Sequence, residues 1–404
     1  MTAVRLVVFL CIGQIFGMAS FASFATLAAL FMDMWSLSAS DVGWVSGIYL
    51  VGYVVGAPIL SGLTDQVDAR QVCLWATVFT AVSVLGFVLF AEGFWTAMLF
   101  RALTGLGLAG TYMPGLKALT DRYEGEKQSR SVAFYTASFG VGAALSYVIT
   151  SQIFDISNWH WAVAAGAVGS AVSWLILWLA LDHRPPARAQ SGEAETHFLD
   201  FRPVFANRQA MGFILAYTVH NLELFGLRAW IVLYLAFSHK KLVGTADWWD
   251  VASIAAVVTM VGWAASVSGN EAAVKWGRQR TITVVMWTST ILACVIGFSS
   301  SWPFWLIVVL FLIYGATVTG DSAAITAGTI ASAHEGQRGA TLAVHSTIGF
   351  TGSALGPILF GFVLELAGGE TNPDAWGYAF AAMGIAVFLG PVALRLLSQR
   401  QVPA

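Results

Sequence analysis

Twelve apolar runs, each long enough to cross a bilayer as a helix, constrain this chain more than any other feature. Their limits are 5–31, 42–63, 72–91, 94–116, 130–153, 159–181, 209–237, 249–269, 280–299, 303–329, 339–366 and 376–397. A helix rises about 1.5 Å per residue, so roughly 20 apolar residues span a hydrocarbon core of about 30 Å. Lipid offers the backbone no hydrogen-bond partner, so such runs are read as helices that satisfy themselves internally. Charged residues make up 10% of the chain, against about 25% in soluble domains, which excludes a soluble globular class. The first run exceeds the roughly 7–15 apolar residues of a signal peptide and is expected to stay as the first helix. The expected fold is an all-α membrane protein of twelve transmembrane helices.

The longest polar stretch, 182–207, lies between the sixth and seventh runs and carries Pro185 and Pro186. It divides the chain into expected six-helix bundles at 1–181 and 208–404, joined by a loop. Shifting the fifth run by 210 residues lays Ala133, Gly142, Ala144 and Leu145 on Ala343, Gly352, Ala354 and Leu355. Two related halves of this kind are a common build among secondary transporters. Lysine and arginine set orientation. With both termini cytoplasmic, 16 of the 20 fall on the cytoplasmic side, and only Lys240 and Lys241 lie opposite. Arg101 and Arg228 lie within runs.

The seventh run concentrates the polar chemistry. It holds His220, Asn221, Glu223 and Arg228. A charge at mid-bilayer costs roughly 2.5–3.5 kcal/mol on insertion scales, so two opposite charges in one span need a reason. At about 100° per residue, with Asn221 at ~0°, Arg228 falls at ~340°, His220 at ~260° and Glu223 at ~200°. The four share an arc of roughly 160°, and the opposite face is Ala, Val, Leu and Phe. An internal ion pair pinning helices together is one explanation. A solute and proton site is the other, with Arg228 and Asn221 on the solute and Glu223 and His220 handling the proton. Arginine suits an anion because its guanidinium is a planar fork of donors. Asp321 in the tenth run is a further proton candidate, as is His345 in the eleventh, since an imidazole titrates near neutrality.

No phosphate-cradling G-x-x-x-x-G-K-S/T, no H-E-x-x-H and no G-x-S-x-G occurs, so no enzyme and no ATP-driven pump is expected. Cys11, Cys73 and Cys294 each fall in an apolar run without ligand spacing. Neither a metal nor a cofactor is expected, and no nucleic-acid partner.

After the second run, 61–71 reads SGLTDQVDARQ. It resembles the loop motif G-x-L-A-D-R-x-G-R-K of the major facilitator superfamily. Leu63, Asp65 and Arg70 match; Ser61, Gln66 and Asp68 depart from it. The resemblance implies a conformational latch at Asp65 and Arg70. The fourth run carries RALTGLGLAG, similar to the family's R-x-x-x-G-x-G-x-A at Arg101, Gly105, Gly107 and Ala109. It implies a role for Arg101 in binding solute charge or in proton coupling; an arginine snorkelling to the interface is the alternative. Trp159-His160-Trp161 is similar to the family's W-R-W, and Gly277 and Arg278 fit the second-half loop motif. The eleventh run has Gly352, Gly356 and Pro357 spaced G-x-x-x-G-P, a pattern resembling an antiporter signature that the family places in the fifth run; the fifth run, with FGVGAALSYV at 139–148, lacks the proline there.

The resemblance implies two bundles that rock about a central site. The expected function is secondary active transport of a small polar or anionic solute across a bacterial-style inner membrane, coupled to protons, by a monomer in the lipid bilayer. A proton-coupled efflux pump for amphipathic compounds and a non-transporting membrane sensor of the same fold are the alternatives. The expected topology puts the 182–207 loop in the cytoplasm. A cysteine introduced as Ser191→Cys should therefore resist an impermeant thiol reagent applied to intact cells, and efficient labelling would reverse the topology.

Overall fold

The structure, a computed structural model, describes residues 3–122, 128–184, 201–242, 250–335 and 337–398. Most of the expected central loop, 185–200 with Ser191, lies outside the described residues. The helices in order are α1 (Ala3–Gly17), α2 (Ser23–Thr26), α3 (Ala28–Trp35), α4 (Ala39–Leu63), α5 (Ala69–Phe90), α6 (Phe94–Thr120), α7 (Gln128–Ile156) and α8 (Trp159–Ala180). They continue with α9 (Arg202–Ala206), α10 (Arg208–Leu242), α11 (Val251–Trp276), α12 (Arg278–Gly297), α13 (Phe304–Gly320), α14 (Ser322–Ser332), α15 (Arg338–Leu366) and α16 (Pro373–Ser398). Among the described residues there is no strand.

Among the described residues, ten helical stretches are long and apolar enough to cross a membrane, with α13 and α14 counted together. The segmented first run, α1 to α3, and α6 complete the twelve of the expected fold. Two runs differ from the uninterrupted helices expected. The first breaks at 18–22, and the tenth is interrupted at Asp321. Large apolar side chains stand on the outside, among them Ile156, Trp95 and Trp75, as lipid requires and water would penalise.

The chain forms two compact units: Met1–Leu37, Trp44–Ala189 and Trp249–Met260 in the first, and Ser38–Gly43, Gln190–Trp248 and Val261–Ala404 in the second. In the first, a core of Leu6, Leu10, Cys73, Leu119, Tyr135 and Leu177 joins α1, α5, α6, α7 and α8. The aromatic start of α8 is tied into the same unit. Asn158 caps it by accepting from His160 N at 3.0 Å and Trp161 N at 3.3 Å, and the Trp159 ring meets Phe31 at 5.5 Å. In the second, Phe213, Ala216, Ile282, Met286, Ile325 and Val387 form the core around α10.

The faint sequence repeat has a packing basis. In the first unit, Gly142 of α7 lies against Ile15 and Met18, in the middle of the first run where α1 ends. In the second, Gly352 of α15 lies against the Thr218 carbonyl of α10, and Gly356 against the Leu222 carbonyl. The fifth run thus approaches the first as the eleventh approaches the seventh. The G-x-x-x-G of α15 is a close-contact face, of the kind that lets backbones meet in lipid where no hydrophobic force drives helices together. A side chain at Gly352 would strike backbone that cannot rotate away. Gly352→Leu should destabilise the protein by about 1–3 kcal/mol or more, while Gly140→Ala, which meets nothing within 4 Å, should be neutral. Thermal unfolding in detergent checks this; equal midpoints for the two variants would contradict the close-packing account.

Candidate functional site

Polar side chains of α10, α12, α13, α14 and α15 converge inside the second unit. Glu223 is buried on α10. Ser289 Oγ of α12 donates to Glu223 Oε1 at 2.8 Å, and the Tyr314 hydroxyl of α13 donates to the same oxygen at 2.9 Å. Thr317 Oγ1 reaches Ser289 Oγ at 3.4 Å. Both hydroxyls meet one oxygen, which leaves Oε2 without a partner among the described residues. The Glu223–Arg228 pair considered from the sequence does not form; hydroxyls hold this carboxylate.

One turn earlier, His220 Nδ1 lies 2.8 Å from Asp321 Oδ1, both side chains buried. The contact has ion-pair distance without hydrogen-bond alignment, so both ring nitrogens and that oxygen lack an aligned partner. Buried polar groups are normally satisfied, which makes this pair unusual. The interruption between α13 and α14 falls at Asp321 itself. The Tyr217 ring is near parallel to two imidazoles, its centroid 5.7 Å from that of His220 and 4.0 Å from that of His345. His345 in turn meets Thr329 Oγ1 at 3.2 Å through Nδ1 and Thr326 Oγ1 at 3.5 Å through Nε2.

The structure therefore gathers Glu223, His220, Asp321 and His345 in one cluster. It does not bring Asn221 or Arg228 to the Glu223 carboxylate. Asn221 Nδ2 donates to the Gly349 carbonyl of α15 at 3.2 Å, a bond that joins two helices. The half-buried Arg228 guanidinium lies 5.2 Å from the Phe225 ring centroid. Sequence reasoning missed Ser289, Tyr314 and Tyr217. Tyr314 and Asp321 are seven residues apart, two helical turns, so their shared face was a usable signal. A lone serine in an apolar run carries none.

Arg101 belongs to the first unit. It is buried rather than snorkelling, 4.4 Å from the Tyr49 centroid and 5.8 Å from that of Phe24. Its Nε has no hydrogen-bond partner, and it lines a cavity of about 10 Å³ with Ser20, Ser23 and Thr104, room for about one water. A guanidinium over an aromatic face gains about 2 kcal/mol or more when desolvated.

At the end of α4 the charge chemistry differs from the expected latch. Asp65 is exposed, and its side chain makes no ion pair or hydrogen bond among the described residues. Asp68, three residues on, is buried and takes that place. Its Oδ1 accepts from Arg70 N at 2.9 Å and meets Arg122 Nη2 at 3.2 Å; its Oδ2 accepts from Arg184 N at 2.6 Å and meets His183 Nδ1 at 3.1 Å. Arg122 also donates to the Asp182 carbonyl at 2.6 Å, and Arg70 Nη2 reaches the Trp178 carbonyl at 3.4 Å. Asp68 thus caps α5 and ties it to the ends of α6 and α8. Burial pushes its carboxyl up, but the backbone N–H groups of Arg184 and Arg70 and the Arg122 guanidinium outweigh burial and hold it below the ordinary carboxylate range.

The family model of the Major Facilitator Superfamily matches residues 10–286, more than half of the chain. The chain belongs to that superfamily. Among curated relatives, human Protein spinster homolog 1 is 26% identical over 177 residues, which is 43% of this chain and 33% of that protein. The matched stretch is therefore about a third of that relative's length. Two solved structures share the superfamily fold across nearly the whole chain. A bacterial homolog to the human lysosomal transporter Spinster, inward-facing and unoccupied, superposes with a TM-score of 0.73 at 15% identity, covering 98% of this chain and 95% of that one. The nucleoside transporter NupG gives 0.76 at 16% identity, covering 98% and 100%.

Within this superfamily member, the loop tie runs through the acid three positions after the expected one. Asp68→Asn should destabilise by about 3 kcal/mol, because it strands a half-satisfied buried guanidinium, while Asp65→Asn should change stability by less than about 0.5 kcal/mol. Folding lowers the Asp68 pKa, so its contribution is complete above the ordinary value of 3.8 and vanishes as pH falls through the lower folded value. Thermal unfolding midpoints of both variants between neutral and acid pH decide the matter: equal losses, or none for Asp68→Asn, would return the tie to Asp65.

Proposed function

We propose that the chain is a proton-coupled secondary transporter of a small polar or anionic solute, working as a monomer by alternating access in an inner membrane with both termini cytoplasmic. The single observation that carries this reading is the buried Glu223 carboxylate held by two neutral hydroxyls, with no cation bonded to it. A cation would lock the charged form. Ser289 and Tyr314 can donate to a carboxylate, and they can also turn to meet the neutral acid, so both protonation states find partners. The adjacent His220–Asp321 contact supplies a second exchangeable proton, and the Tyr217 ring stacks near both His220 and His345. In membranes, ionisable groups of this kind mark proton relays and solute paths. Arg228 and Arg101 are the arginines assigned to solute charge, one in each unit, with Asn221 orienting α10 against α15. Membership of a transporter superfamily and the transport activities named for the two structural neighbours support the reading.

A thermal-shift screen against small metabolites would identify a stabilising solute. With that solute in reconstituted vesicles, Glu223→Gln should keep solute exchange near the wild-type rate and lose accumulation driven by a pH gradient, by tenfold or more on the usual scale of lost coupling, about 1–3 kcal/mol. Accumulation at the wild-type level would remove Glu223 from the proton path and move the assignment to Asp321.

A further inference from the structure

The second unit carries a groove that the transport reading does not use. It runs between α11, α12 and α13 and encloses about 690 Å³, within the range of about 300–1,000 Å³ typical of small-molecule sites. Its floor is carved by small residues one face apart on α11, Ala265, Ser268, Gly269 and Ala272, with Gly269 against the Gly320 carbonyl. Its α12 wall includes Val284, which is exposed, as Trp276 is at one end. An exposed apolar wall on helices long enough to cross a membrane is a surface that lipid would cover.

The end of the groove has a different chemistry. Arg280 lines it beside Trp276 and is exposed, and its side chain makes no ion pair or hydrogen bond among the described residues. Lys275 and Arg278 stand in the same turn, opposed by the exposed Glu271 alone in this stretch of α11 and α12. α12 starts here, after Gly277 at φ 94°, with no side-chain cap on its first N–H groups. Uncapped N–H groups at a helix start and an adjacent guanidinium both favour a phosphate. Tryptophan and arginine together mark the headgroup level of a membrane, and basic pockets between spans take anionic lipids.

We propose that this groove holds an acyl chain of an anionic phospholipid whose phosphate rests on Arg280. The tail replaces packing that the small residues of α11 leave open, and the headgroup neutralises the cations of the α11–α12 turn. Thr317 lines the same groove and bonds to Ser289, so the bound tail buttresses the helices that hold Glu223. The site stands apart from the transport reading and does not depend on it.

The test is lipid retention by the full chain in nanodiscs containing equal phosphatidylglycerol and phosphatidylcholine, read by native mass spectrometry after extraction. The wild type should keep phosphatidylglycerol in preference. Arg280→Gln should lose roughly fivefold in that preference, the equivalent of about 1 kcal/mol for one cation at a membrane surface. Ser268→Phe, which fills the groove from an exposed position, should release the tail of either lipid. Lys240→Gln, an exposed cation elsewhere in the unit, should change nothing. Equal retention of the two lipids by the wild type, unchanged retention in Arg280→Gln or Ser268→Phe, or an equal loss in Lys240→Gln would each overturn the proposal. Displacement of the lipid by glycerol phosphate as effectively as by phosphatidylglycerol would do the same, by showing a phosphate site without a tail.

Discussion

A bilayer gives the peptide backbone nothing to bond with, and that constraint governs the whole chain. It forces the apolar runs into helices, and it removes the hydrophobic drive that would pack those helices in water. Close van der Waals approach has to do that work. The glycines at 142, 352 and 356 allow it, each against the backbone or the first carbon of a neighbouring helix. The equivalent placement of Gly142 and Gly352 in the two units shows the same solution used twice.

The same constraint raises the stakes for every polar side chain inside. A buried donor or acceptor without a partner costs about 1–3 kcal/mol, so each one present has either a structural bond or a task. Asn221 and Trp230 have structural bonds, to the carbonyls of Gly349 and Pro357 in the neighbouring helix. Glu223 is satisfied on one oxygen by hydroxyls that can serve either protonation state. The His220–Asp321 contact is close yet poorly aligned, at the residue where the tenth span is interrupted. Satisfied groups hold the unit together.

At the membrane edge the balance differs. Asp68 is buried, but its partners come from the ends of helices, so backbone N–H groups and Arg122 can be brought to it. Around one carboxylate the ends of α6 and α8 and the start of α5 are joined. The acid that matched the family's loop motif, Asp65, faces away from this arrangement. A three-residue displacement along a turn moves a carboxylate from solvent to the interior without altering the composition of the loop.

The sequence by itself determined the membrane class, the twelve helical spans and the superfamily, because span length, apolar content and loop motifs are local properties that lipid enforces one segment at a time. It also marked Glu223, His220, Asp321 and His345, since an ionisable residue in an apolar run is conspicuous without any neighbour. Only the tertiary structure decided what each of them touches. Helical wheel angles place Asn221 and Arg228 on one polar arc with Glu223, yet α10 has α13 and α14 along one side and α15 along another, and the arc is divided between them. Ser289, Tyr314 and Tyr217 stayed invisible because a hydroxyl in a helix gains meaning only from the group that packing sets opposite it. Asp68 prevailed over Asp65 for the same reason: which acid becomes buried depends on where Arg122 and the end of α8 arrive, more than 50 residues away along the chain.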